Sequence, residues 1–216
     1  MKQFLLPIIA TLVFVGCTPA LHRAVKTGDA DRVRELLDAG GDVNVRESSE
    51  GRLQYTPLHW AAYYGRQEIA ELLISRGAEL DAQDPWYSTP LYLAAEQGQL
   101  EVVKLLIAEG AEVNVKSNGW GYTPLHRAAW GPVVRRFGLQ AEDLGADPDT
   151  SYKEIVDLLI AQGAEINARD NDGQTALDQA TWSDNGETAA LLRKHGGKTG
   201  EELGTPVGAS PDLPKK

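Results

Sequence analysis

The stretch Thr56-Pro57-Leu58-His59-Trp60-Ala61-Ala62 returns as Thr89-Pro90-Leu91-Tyr92-Leu93-Ala94-Ala95 and again as Thr123-Pro124-Leu125-His126-Arg127-Ala128-Ala129. Leu58 and Leu91 stand 33 residues apart, Leu91 and Leu125 34. This self-similarity constrains the fold more than any other feature. A unit of that length cannot bury an apolar face alone, so it must stack on its neighbours and build an elongated core. Each copy closes on a second shared segment: Leu72-Leu73 then Gly77-Ala78-Glu79, Leu105-Leu106 then Gly110-Ala111-Glu112-Val113-Asn114, and Leu158-Leu159 then Gly163-Ala164-Glu165-Ile166-Asn167.

Every element of the unit has a mechanical reason. Thr before Pro predicts a helix start, because the hydroxyl caps a free amide and proline at the first helical position gives up an amide with no partner. Leu58, Ala61 and Ala62 fall at i, i+3 and i+4, a small apolar face on which the next unit can pack closely. Gly65 and Gly98 are predicted to end these first helices. A second helix carries Ile69, Leu72 and Leu73 on its buried stripe, leaves Glu68, Glu71 and Arg76 in water, and ends at Gly77 in a left-handed cap. The segment up to the next Thr-Pro holds turn formers and no helical period.

Motif, period and closing segment together resemble the ankyrin repeat family. The resemblance implies an all-α solenoid of about five helix-turn-helix units joined by β-hairpin loops, the projecting fingers. Two weaker copies flank the three clear ones. Leu21-His22-Arg23-Ala24-Val25 with Leu36-Leu37, Gly40 and Asn44 gives a first repeat, and Gly173-Gln174-Thr175-Ala176-Leu177 with Leu191-Leu192 and Gly196 gives a fifth. In the fifth, Ala176 replaces the proline, Asp178 the histidine and Thr188 an aliphatic residue, the polar character a terminal cap needs. The repeats are expected near 18–45, 46–82, 83–115, 116–168 and 169–197. Leu125 to Leu177 is 52 residues, so 19 are inserted in the fourth unit, read as 133–151 between its helices, with the outer helix beginning at Tyr152. Residues 198–216, rich in Gly, Pro and charge, are expected to be a disordered tail.

A net charge of −10 without a Lys/Arg cluster argues against a nucleic-acid partner. Cys17 is the one cysteine, which excludes an internal disulfide framework and a thiolate zinc site. Ahead of it stand Lys2 and an apolar run from Phe4 to Val15 broken by Pro7, the outline of a secretory signal over 1–16. Val15-Gly16-Cys17 also resembles the lipobox of bacterial lipoproteins, which implies cleavage before Cys17 and its acylation, palmitate included. Phe14 departs from the lipobox, where an aliphatic residue is usual; a plain signal peptide or an uncleaved anchor is the alternative. Thr18, not Asp, follows the cysteine, as in lipoproteins sorted to the outer membrane. The expectation is thus an outer-membrane lipoprotein of a bacterial envelope, facing the periplasm, held to the membrane by its N-terminal lipid, and a monomer.

No nucleophile elbow, phosphate loop or dinucleotide fingerprint is present. Asp170-Asn171-Asp172-Gly173 lacks the later acid of a calcium loop and reads as a turn. His22, His59 and His126 are the motif histidines, which the resemblance makes structural bridges between units. No metal, cofactor or catalytic residue is therefore expected, and the chain is read as a non-enzyme. Ankyrin partners dock on the fingers and the exposed side of the inner helices. Carried over, that face holds Tyr55, Tyr63, Tyr64, Trp86, Trp120, Tyr122, Trp130 and Trp182, and rings of this kind are the usual anchors of interfaces. Trp60 and Tyr92, inside the motif, are expected to pack between repeats. The expected function is protein binding through this concave face. Alternatives are an inhibitor or immunity-type protein that occludes an enzyme, and, more remotely, an enzyme using the 133–151 loop.

Overall fold

The computed structural model describes residues 20–47, 54–117, 119–131 and 148–204. The segment 1–16, Cys17 and residues 133–147 of the expected insertion lie outside them. Within the described residues the chain runs as helix pairs: α1 (20–27) with α2 (Ala30–Asp38), α3 (Pro57–Tyr63) with α4 (Gln67–Ser75), and α5 (Pro90–Glu96) with α6 (Leu100–Ala108). Then come α7 (Pro124–Trp130) with α8 (Pro148–Ala161), and α9 (Ala176–Trp182) with α10 (Gly186–Lys194). The inner helices α3, α5, α7 and α9 pack in sequence, as do the outer helices α2, α4, α6, α8 and α10. This is the all-helical solenoid that the period dictated.

The inner helices start where capping chemistry places them. Thr56, Thr89, Thr123 and Thr175 each accept a hydrogen bond from the backbone N–H three residues on, with Pro57, Pro90 and Pro124 at the first helical position. Such a cap contributes about 1 kcal/mol. Ala61, Ala62, Ala94, Ala95, Ala128 and Ala129 are fully buried between inner helices, where a larger side chain would hold the units apart. Leucines and β-branched residues of the outer helices, Ile69, Leu73, Val103, Leu106, Ile155 and Leu159 among them, complete one continuous core. The helix-to-helix turns are closed from the next unit. Gly98 has φ +68° and lies under the Tyr152 ring, whose hydroxyl donates to Glu96 O at 2.8 Å, so a Cβ there would meet both backbone strain and the ring.

Histidines bind the units together as the resemblance implied. The Thr56 N–H donates to His59 Nδ1 at 3.2 Å, which makes that nitrogen an acceptor and puts the ring proton on Nε2. Nε2 then donates to Ser88 O of the next unit at 3.0 Å. His126 repeats this with Thr123 and, at 3.3 Å, Gln174 O; His22 Nε2 stands 3.1 Å from Tyr55 O. Burial lowers the pKa of His59 and of His126 to about 4, so both rings are neutral.

In the fifth unit, Asp178 stands where the histidine was and inverts the polarity. Its carboxylate accepts from Thr175 N at 2.8 Å and Gly200 N at 2.7 Å. Residues 198–204, expected to be part of a disordered tail, fold back against the last repeat. Asn167 donates to Gly196 O and accepts from Lys198 N, just as Asn114 does with Gly163 O and Glu165 N one unit earlier. The chain after α10 thus supplies the contacts a sixth unit would make, a self-cap that composition did not reveal. Residues 205–216 lie outside the described residues.

Two further expectations are refined. The outer helix of the fourth unit begins at Pro148, not Tyr152, and is 14 residues long against 9 for α4, α6 and α10. Proline at a first helical position is pre-set for that start, so the last four residues of the expected insertion are helical. The fingers contain no strand among the described residues. A backbone bond closes each tip: Glu47 N to Tyr55 O, Asp84 N to Ser88 O, Ser117 N to Tyr122 O and Asp170 N to Gln174 O.

Candidate interaction surface

The fingers are built on local side-chain-to-backbone bonds. Asp84 Oδ1 accepts from Trp86 N and Ser88 N, both at 2.8 Å, and Asp170 Oδ1 accepts from Asp172 N at 2.9 Å and Gln174 N at 2.8 Å. This confirms 170–173 as a turn of the Asx kind. Burial raises the pKa of both carboxyls, against the lowering effect of those N–H donors. At the left-handed position the fifth finger has Gly173 (φ 79°), whereas the third has Tyr87 (φ 61°). An exposed tyrosine held there costs about 1 to 2 kcal/mol relative to glycine.

The expected binding residues divide by burial. Tyr55 is not on the surface: it is only 7% exposed, stacks on His59 at 5.2 Å and meets Trp60 edge-on at 4.8 Å. It immediately precedes the Thr56 cap, which directs its ring beneath the inner helix rather than along the finger. Burial accordingly pushes its hydroxyl well above the usual range. Trp60 and Tyr92 are buried as expected. Tyr63 and Tyr122 are half-buried and pack against the core. Tyr64, Trp86, Trp120 and Trp182 are 41 to 57% exposed, and with Tyr87, which is not among the expected binding residues, they are the exposed large hydrophobic residues among the described ones. An aromatic where sibling fingers have glycine was the signal for Tyr87.

Two clusters form along the inner helices. In the first, Trp60 stacks on Tyr64 at 5.7 Å, and Tyr63 meets both rings edge-on. Lys26 Nζ lies 3.8 Å from the Trp60 ring centroid and pairs with Glu47 at 2.9 Å, while Trp60 Nε1 donates to the other Glu47 oxygen. In the second, the Arg127 guanidinium pairs with Glu96 and lies 5.7 to 5.8 Å from the rings of Tyr92, Tyr122 and Trp130. Trp130 in turn meets Trp182 edge-on at 5.8 Å. The structure therefore joins Tyr63 with Tyr64, and Tyr122, Trp130 and Trp182 around or beside Arg127. Trp86 and Trp120 stand apart at finger tips. Among the described residues no group of three or more His, Cys, Asp and Glu side chains could hold a metal ion, and no helix is long and apolar enough to cross a membrane.

A stacked array of capped helix pairs, fastened by threonine–histidine bridges and fronted by aromatic fingers, defines a helical-repeat interaction module. The profile described as ankyrin repeats (3 copies) matches residues 7–84 and 79–150, and that for ankyrin repeats (many copies) matches 148–193. The chain belongs to the ankyrin repeat family. Ankyrin repeat protein FPV031 of Fowlpox virus (strain NVSL) is 30% identical over 176 residues, 80% of this chain and 46% of that protein. The 2-5A-dependent ribonuclease of Mus musculus is 45% identical over 60 residues, 28% of this chain and 8% of that one. Serine/threonine-protein kinase 12 of Arabidopsis thaliana is 41% identical over 61 residues, 28% and 12% respectively. The chain thus spans less than half the length of these relatives, and the short matches cover one to two repeats.

Proposed function

We propose that this chain is a non-catalytic adaptor, lipid-anchored through Cys17 in a bacterial envelope, that binds a protein partner with the finger tips and inner-helix ends of the array. One observation carries the binding surface: the exposed large hydrophobic residues of the described array are all Trp or Tyr, and all lie on fingers or at the ends of inner helices. Such rings bury on the order of 150 to 250 Å² each against a partner, so a few of them anchor an interface of standard size. Support for the anchor is the Gly16-Cys17 pair after an apolar run. The outer-membrane assignment rests on Thr18.

Two variants test this reading. Trp86→Ala with Trp120→Ala removes rings that touch no other described ring, so partner retention should fall at least about tenfold with helical content unchanged, as expected for hot-spot residues. Unchanged retention would sink the binding face. Cys17→Ser should move the protein from the membrane to the soluble fraction; continued tight attachment would rule out the lipid anchor.

A further inference from the structure

Along the inner helices the chain twice builds the same device: an aromatic ring, a carboxylate and a cation held between them. Lys26 fills one, between Trp60 and Glu47, and Arg127 fills the other, among three rings and Glu96. Between the fourth and fifth fingers an exposed ring, Trp120, and a carboxylate, Asp172, recur without a cation, next to the Tyr122 ring that Arg127 already faces. The Asn171 N–H donates to Trp120 O at 2.8 Å and Asn171 Nδ2 to Gly119 O at 2.9 Å, which fastens the two tips together at the residue next to Asp172. Asp172 has no ion pair and its carboxylate accepts no hydrogen bond among the described residues, and the Trp120 ring is exposed. The Tyr122 hydroxyl is pushed up to about 12 by burial first and then by Asp170 and Asp172, which places both carboxylates near it.

Acceptors outnumber donors beneath this patch as well. Gln179 is fully buried, and its Nε2 donates to Gln174 Oε1 at 2.9 Å and Asp170 Oδ2 at 3.4 Å, while its Oε1 receives no hydrogen bond. The fingers at large have the same sign. Over residues 41–47, 54–56, 78–89, 111–117, 119–123, 164–175 and 197–204, carboxylates outnumber Lys and Arg eleven to four. Three of those cations are turned along the stack to the next finger's backbone: Arg46 to Gln83 O, Lys116 to Arg169 O and Arg169 to Leu203 O.

We propose that Trp120 and Asp172 together receive an arginine side chain of the protein partner, on a basic segment lying across the fourth and fifth fingers. A guanidinium stacks on an indole face while its N–H fork meets the carboxylate, which suits it to this patch better than an ammonium. The inference rests on the finger-face binding proposed above and adds the chemistry of what is bound.

Capped octapeptides alternating serine with arginine, citrulline or glutamate, titrated into the full chain and followed by tryptophan fluorescence and calorimetry, test it. The arginine peptide should bind at least about tenfold tighter than its neutral citrulline isostere and weaken as salt rises to about 0.3 M. Asp172→Asn should remove about tenfold of that affinity, Asp172→Glu should restore most of it, and Trp120→Ala should abolish the fluorescence response, all with wild-type helical content. Equal binding of arginine and citrulline peptides, preference for glutamate, or indifference to Asp172→Asn would overturn the proposal. The two readings fail separately. A membrane-derived partner whose retention needs Trp120 but ignores salt and Asp172→Asn overturns only the cationic assignment. A partner retained in full by the Trp86/Trp120 double variant overturns both.

Discussion

Acidification is predicted to loosen the array through its bridging histidines. His59 and His126 are buried and neutral in the fold with pKa about 4, against 6.5 for the free side chain. Burial is the main cause, with Arg46 near His59 and Lys116 near His126 pressing the same way; the carbonyls of Ser88 and Ala82, and of Gln174 and Ala168, oppose it, as does Asp178 beside His126. Between pH 6.5 and 4 the unfolded chain binds protons that the folded one refuses, so stability is fully present above the unfolded value and declines as pH falls toward the folded one. From pH 7 to pH 5 each ring accounts for about 2 kcal/mol, about 4 kcal/mol for the pair, a large part of a typical 5 to 15 kcal/mol. Asp84 and Asp170 act in the opposite sense, because their raised pKa values let the folded state take protons first. Their effect belongs nearer the carboxylate range, so the histidine term is cleanest above pH 5. Urea unfolding followed by helical circular dichroism should give a midpoint that falls steadily over this interval, while nitrogen NMR shows both rings still neutral in the folded protein. A flat midpoint, or either ring titrating near 6.5 in the native state, would refute the reasoning.

Two substitutions probe the finger and the cap. Tyr87→Gly should raise stability by about 1 kcal/mol, because it relieves a left-handed tyrosine that is 48% exposed; a loss of stability in urea unfolding would mean the ring is held by the fold. Asp178→Ala removes the acceptor of the Thr175 and Gly200 amides and should cost about 2 kcal/mol. Hydrogen exchange at Gly200 should accelerate with it, and unchanged protection there would show that residues 198–204 do not depend on Asp178.

The helices of this array could be read from the sequence because their signals are local. A threonine three residues before the histidine, the proline that follows it, and a closing glycine each fix one backbone feature, and the 33-residue step fixes the stack. What escaped the sequence depends on direction and on distant partners. Tyr55 is an aromatic on a finger like Trp86 or Trp120, but the Thr56 cap next to it turns its ring inward. Residues 198–204 have the composition of a tail, and it is Asn167, Arg169, Thr175 and Asp178, some twenty to thirty-five residues earlier, that give their backbone something to bind. Tyr87 reads as one more surface ring until its left-handed φ is seen. The start of α8 at Pro148 was hidden because a proline after an aspartate is equally a turn signal.

The central claim, that the aromatic finger side is where a partner docks, is tested most directly by photo-crosslinking in intact cells. A photoreactive phenylalanine at the position of Trp120 reports on the finger tips, and the same residue at Glu101, exposed on the outer helix α6, reports on the opposite side. A discrete adduct is expected from the first position and none from the second. An adduct from Glu101 alone, or adducts of equal yield from both, would contradict the claim.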